Sequence, residues 1–377
     1  MNKKKQNNVL IILLIATILF LIPSYFLRLN YNFSMVFYEK FGTYLGDFWN
    51  FFANYLSKGL KFLPEYPVGI RFFYEFLHFD KIRTMSDFFT VNSLIIIISA
   101  FFITYVLYLI VRKTHKIFSS IWYYWILAPS FIFYSLYNYD LPAVLMTVLS
   151  YYFFTKNKGN LSSFFLALGT VFKFFPVYLL PLFIINSPKG KRFKYFLIFV
   201  VTLLAINLPY IINDYSGWIF PYMWQITQNI SYSMKQQTYW WILYPYFGKY
   251  LGALSIVVFA GLYSFFAYKM KNRPLVSQIV AVLILFLLTD KIYSPQYHLY
   301  LLPFLVILPF QVNKLAFYLL EILNVIVVFF YFKLTTDYLV LLQVIVSLRY
   351  FLLIFLFIQN YKKSAKYPEI QTAKLKS

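Results

Sequence analysis

Apolar runs recur along the whole of this chain, and several are long enough to cross a ~30 Å hydrocarbon layer. VLIILLIATILFLIPSYFL (9–27) is the first. A soluble fold has too little polar surface to cover so much apolar mass: of 377 residues, 61% are hydrophobic and 12% charged. The fold class expected is therefore all-α, a polytopic membrane helical bundle of about twelve spans, some of them short or re-entrant. MNKKKQNN before the first run resembles the start of a signal peptide. The run itself is long and shows no small-residue cleavage site, so it reads as a retained span.

Lys and Arg number 34 against 12 Asp and Glu, a formal charge of +22. In a soluble protein that excess would point to nucleic acid. Here it falls between apolar runs, in RKTHK (112–116), TKNKGN (155–160), PKGKRFK (188–194), KMKNR (269–273) and the C-terminal tail. Cytoplasmic loops of membrane proteins collect Lys and Arg in this way. The reading is a multi-pass protein of the cell membrane with both termini cytoplasmic, surrounded by membrane lipid and with no nucleic-acid partner. Cysteine is absent, which excludes disulfides and thiolate metal sites.

Residues 1–377 read as one integral membrane domain. Two segments are too long and polar for tight connections, and both fall on the external side: a first loop at 28–90 carrying interfacial helices, and a second at 213–248 crowded with Trp and Tyr. Such aromatics favour the membrane–water interface. A span is expected near 118–137, and 161–174 with 176–187 form either a re-entrant hairpin broken at Pro176 or one kinked helix.

Motifs of soluble enzymes, such as G-x-x-x-x-G-K-[ST], H-E-x-x-H and G-x-S-x-G, are missing. His78, His115 and His298 are scattered and make no ligand set, so neither a metal nor a cofactor is expected. Ionisable residues at membrane boundaries are the remaining site hypotheses. Asp47, in LGDFWNFFANYLSKGLKFLPEYPVG (45–69), reads either as a general base on a hydroxyl or as the cap of a helix starting at Phe48. Asp140, in YNYDLP (137–142), reads as an N-cap with Pro142 in the following turn. Lys173 lies inside TVFKFFPVYLLP (170–181), where an ammonium either finds an anion or snorkels to the interface.

In TDKIYSPQYHLYLLPF (289–304), Ser294-Pro295 reads as N-cap followed by Pro at the first helical position. A helix start beside Lys291 is either a phosphate site or a plain start with a snorkelling lysine. Gln296 and Tyr300, four apart, are expected on one face with Tyr297 beside them, and His298 points elsewhere.

DKIYSPQYHLYLLP closely resembles the NK-(V/I)-x-SPQY-x-x-W-x-LP segment of membrane glycosyltransferases of the GT-C superfamily. Within it, the chain is most similar to the polyprenol-phosphate-mannose-dependent α-mannosyltransferases of bacteria and archaea. Three further segments agree in order. GDFWNFFANYLSKGLKFLPEYPVG is similar to the family's first external loop, YNYDLPAVLMTVL to its WDLLPALL segment, and LGTVFKFFPVYLLPL to its K-x-x-P-x-x-LLP segment. The chain departs from the pattern at Asp290 for Asn, Tyr300 for Trp and Val68 for a second Pro, departures that bear on sugar and acceptor more than on reaction class.

The resemblance implies a hexosyltransferase, a mannosyltransferase first of all. It would move sugar from a polyprenyl-phosphate-linked donor to a glycan or lipid acceptor at the external face, by a single inverting displacement. It implies Asp47 as the base, with Lys291, Ser294 and Lys173 holding the donor phosphate. Glu65, Tyr66, Asp140, Gln296 and Tyr297 would line the sugar or acceptor site. The alternative from another class is a polytopic transporter or lipid flippase, which needs charges along a path near the midplane and broken helices in paired halves.

Overall fold

The computed structural model describes residues 3–30, 48, 66–76, 82, 84–112, 117–227, 238–330 and 336–367. Among them there is no strand. Most of the 28–90 loop, Asp47 and Glu65 included, lies outside the described residues.

The first apolar run forms α1 (Lys3–Leu29), and α2 (Val68–Phe76) lies within the 28–90 loop. The long α3 (Met85–Val111) starts where Thr84 Oγ1 accepts the Asp87 N–H at 3.1 Å, occupying one of the N–H groups that every helix start leaves without a partner. The single span expected near 118–137 is divided. It comprises α4 (Ile117–Ile121), a π-helical turn at Trp122–Ile126, and α5 (Pro129–Tyr134), with Pro in its first turn. Next, α6 (Asp140–Thr155) and α7 (Gly159–Phe172) pack as a hairpin. Asn157 turns the connection with φ 57°, a left-handed conformation that asparagine tolerates better than most residues.

The break expected within 161–187 falls earlier than Pro176. Proline cannot donate to the carbonyl four residues back and its ring clashes there, so α7 stops at Phe172. Lys173 is extended (φ −152°, ψ 151°), and a 3-10 turn at Phe175–Leu179 leads into α8 (Leu180–Asn186). The chain continues through α9 (Arg192–Asn213), α10 (Tyr215–Thr227), α11 (Tyr244–Phe247), α12 (Leu251–Lys269) and α13 (Leu275–Thr289). After a 3-10 turn at Pro295–Tyr297 come α14 (His298–Ile307), α15 (Lys314–Phe330) and α16 (Thr336–Ser364).

Five stretches among the described residues are long and apolar enough to cross a membrane: Gln6–Leu29, Met85–Val111, Lys189–Asn213, Leu251–Lys269 and Leu339–Ser364. Asp140–Thr155, Gly159–Phe172, Phe175–Asn186 and Leu275–Thr289 are apolar but shorter. Ile11, Ile15 and Leu19 of α1, Leu197, Val201 and Leu204 of α9, and Ile256 and Val257 of α12 are exposed. A soluble protein seldom exposes such apolar faces, whereas hydrocarbon covers them without cost. In contrast, α14 is buried from His298 to Val306, and α13 nearly throughout.

The N-terminus of α2 is pinned in place. Gly69 lies so close to α7 that an added Cβ would meet the Val171 carbonyl oxygen at 2.7 Å. Arg71 pairs with Asp214 at 2.8 Å and Glu75 at 3.0 Å, and stacks over the Tyr210 ring at 4.9 Å. The hydrogen bonds from Arg71 and the Gly217 N–H hold the Asp214 carboxyl below its usual range. This clasp joins α2 to the junction of α9 and α10, and so sets where Tyr66, just before α2, meets the rest of the protein.

Candidate active site

Three chain segments far apart in sequence meet at one buried ion pair. Asp140 is the first residue of α6 and is fully buried. Lys173 Nζ, brought in by the break after α7, lies 3.1 Å from Asp140 Oδ1. The Tyr300 hydroxyl, from the first turn of α14, donates to the same oxygen at 2.8 Å. Asp140 Oδ2 is buried and has no hydrogen-bond partner among the described residues. A buried carboxylate oxygen left without a donor is costly, and it is the position at which a substrate hydroxyl would be welcome.

Aromatic rings close around the pair. Lys173 sits 4.2 Å above the Tyr66 ring, a geometry in which the ring's negative face attracts a cation. Tyr300 stacks on Phe175 at 3.9 Å and on Tyr297 at 5.3 Å. Tyr139, one residue before Asp140, packs edge-on against Tyr66 at 6.0 Å and Phe48 at 4.8 Å, and its hydroxyl bonds to Asn92. Phe48 is the chain neighbour of Asp47.

The turn between α13 and α14 adds a second cation. Lys291 is buried, and its carbonyl accepts the Thr238 hydroxyl at 3.2 Å. Burial raises the Asp290 carboxyl to about 7 against the Ile292 N–H, and burial lowers the Lys291 amine against the charge of Asp290. Both groups are thus driven toward neutrality, and an anion arriving beside Lys291 favours its charged form. Among the described residues no three histidine or carboxylate groups converge as a metal-ligand set.

The model of glycosyltransferase family 87 matches residues 76–289, more than half of the chain, including Asp140 and Lys173. The chain belongs to glycosyltransferase family 87. No curated protein matches it. Membership makes the protein a membrane glycosyltransferase that takes a sugar donor and an acceptor, and does not favour the transporter or flippase.

Within this glycosyltransferase the expected site residues fall into three groups. Tyr66, Asp140, Lys173 and Tyr297 come together around Tyr300. Lys291, Ser294 and Gln296 lie in the adjoining turn, while Asp47 and Glu65 lie outside the described residues.

One local expectation is corrected. Asp140 is not an N-cap: it occupies the first helical position, its N–H is taken by Asn138 Oδ1 at 3.2 Å, and its carboxylate turns to Lys173 and Tyr300. Ser294 does stand at the N-cap position with Pro295 next, as expected, but it opens a 3-10 turn and its hydroxyl donates to Gln296 Oε1 at 2.9 Å in place of a capping bond. In that turn Tyr297 stacks on Tyr300.

His298 does point elsewhere, toward Tyr293 and Glu321. Sequence reasoning passed over Glu321 and Arg349, both fully buried, although each breaks an apolar run as visibly as Lys173 does.

Proposed function

We propose that the glycosyltransferase moves a hexose, mannose by resemblance, from a polyprenyl-phosphate-linked donor to a lipid or glycan acceptor. The reaction takes place at the external face of the cell membrane, with both termini cytoplasmic. The observation that carries this reading is the convergence of all four segments of the resemblance. Tyr66, Asp140, Lys173 and Tyr300 each come from a different one, and they meet around a single ion pair.

The chemistry is a single displacement that inverts the anomeric carbon. The acceptor hydroxyl oxygen bonds to that carbon as its bond to the phosphate oxygen breaks, and polyprenyl phosphate leaves with the electron pair. Asp47 takes the hydroxyl proton as general base. Its candidacy is supported by its chain neighbour Phe48, which packs on Tyr139 beside Asp140. Lys291, with the turn at Ser294, balances the charge that develops on the leaving phosphate, and Lys173 is the second cation. Glu65, Tyr66, Asp140, Gln296 and Tyr297 hold the sugar and acceptor, with Asp140 Oδ2 accepting a sugar hydroxyl and the rings facing its C–H groups.

Purified Asp47→Asn protein tests the assignment. Turnover should fall by about 10²–10⁴-fold, the usual contribution of a positioned base, with donor binding retained. Turnover within a few-fold of wild type would return Asp47 to the role of helix cap.

A further inference from the structure

Beneath the turn that carries Lys291 lies a second polar cluster, which the proposed chemistry does not use. Glu321 and Asn324 are three apart on α15 and share a face. Glu321 Oε1 lies 2.6 Å from His298 Nδ1, while its Oε2 accepts the Ser130 N–H at 3.0 Å. The other ring nitrogen of His298 meets the Tyr293 hydroxyl. Asn324 Nδ2 donates to the Pro295 carbonyl at 2.7 Å and to Ser130 Oγ at 3.0 Å. Asn324 Oδ1 accepts Arg349 Nη2 at 2.8 Å, and the guanidinium lies 3.9 Å from the Tyr293 ring centroid. Each of Tyr293, His298, Glu321, Asn324 and Arg349 is at most 1% exposed.

Apolar packing alone can hold the turn at Pro295–Tyr297 against α15, and polar groups inside a membrane bundle are expensive. Here they are spent on a stretch of six residues. Tyr293, Pro295 and His298 are each tied to α15 or α16, and Lys291 stands two residues before the first tie. Glu321 on α15 and Arg349 on α16 carry opposite formal charges, and Arg349 Nε and Nη1 are buried with no hydrogen-bond partner among the described residues. The cluster's burial keeps it from touching a substrate.

We propose that Tyr293, His298, Glu321, Asn324 and Arg349 are positioning residues, which clamp the 291–297 turn so that Lys291 is presented to the donor phosphate. The inference rests on the reading of Lys291 as the phosphate-binding cation. A site loosened by about 1 Å can lose on the order of 10²-fold in rate, so a clamp of this kind has a measurable value.

Tyr293→Phe cuts the cluster at His298, because it removes the hydroxyl that meets the His298 ring while leaving the Tyr293 ring under Arg349. Asn324→Ser serves as the second variant where the first fails to fold. Two readouts on full-length solubilised protein are needed: transfer kinetics with polyprenyl-phosphate mannose, and the rate at which an amine reagent labels Lys291, read by mass spectrometry. The expected result is a donor KM raised by about tenfold or more, an acceptor KM unchanged, and faster labelling of Lys291. Combined with Lys291→Ala, Tyr293→Phe should add nothing further, since both act through one ammonium. Unchanged labelling overturns the clamp, and so does a full additional loss in the double variant. If Lys291→Ala alone leaves the donor KM unchanged, the phosphate reading fails, and the proposed presentation of Lys291 fails with it. Faster labelling in Tyr293→Phe would then show only that the cluster holds the turn.

Discussion

Asp140 and Lys173 compensate each other: the carboxylate is fully buried, and the ammonium has no anion nearer than 3.1 Å among the described residues. Removing one partner of such a pair leaves an unbalanced charge, at a cost of about 3–5 kcal/mol, whereas removing both is far milder. Lys173→Met should therefore destabilise the solubilised protein more than the double variant Asp140→Asn with Lys173→Met. Thermal unfolding of the single and double variants checks this, and simple additivity would mean that the two groups are not coupled. Neither partner's choice was legible in the chain. Local grammar makes an Asp before Leu-Pro a cap, and only the arrival of Lys173 and Tyr300 from distant segments turns its carboxylate inward. Glu321 and Arg349 were legible, because an ionisable group in an apolar run carries the same signal wherever it occurs.

The break between α7 and α8 delivers Lys173 to the site, and α2 must lie close to the same break for Tyr66 to reach the ammonium. Gly69 makes that approach possible. A methyl group there would overlap a backbone oxygen of α7, which no rotamer change relieves. Gly69→Ala is expected to cost about 1–3 kcal/mol of stability, as overpacking does elsewhere, and to lower activity by moving Tyr66. An unfolding midpoint and a transfer rate both equal to wild type would show that α2 yields without consequence. Long helices such as α1, α3 and α9 were readable as apolar runs. The π-helical turn at Trp122–Ile126 and the short 3-10 segments were not, since an apolar run of a given length says nothing of where its hydrogen bonding changes register. Pro176 announced a break, though the chain yields three residues earlier, where the proline's missing N–H and its ring are felt.

The molecule places its apolar faces outside, on α1, α9, α12 and α16, and keeps α13 and α14 inside. The lipid-covered outer helices and the buried inner ones together hold the ends of α6, α7 and α14 at a common point. The order of these segments along the chain was legible, and so was their membership in one enzyme class, but their meeting is a property of the packed bundle. The same arrangement frames the choice between chemistry and transport. Membranes containing the protein, supplied with a panel of radiolabelled polyprenyl-phosphate sugars and a competent acceptor lipid extract, decide it. Label from one donor should appear in a new glycan or glycolipid as free polyprenyl phosphate accumulates. Label that remains on its original lipid with every donor, or merely changes leaflet, would mean that the bundle does not transfer sugar from a lipid phosphate.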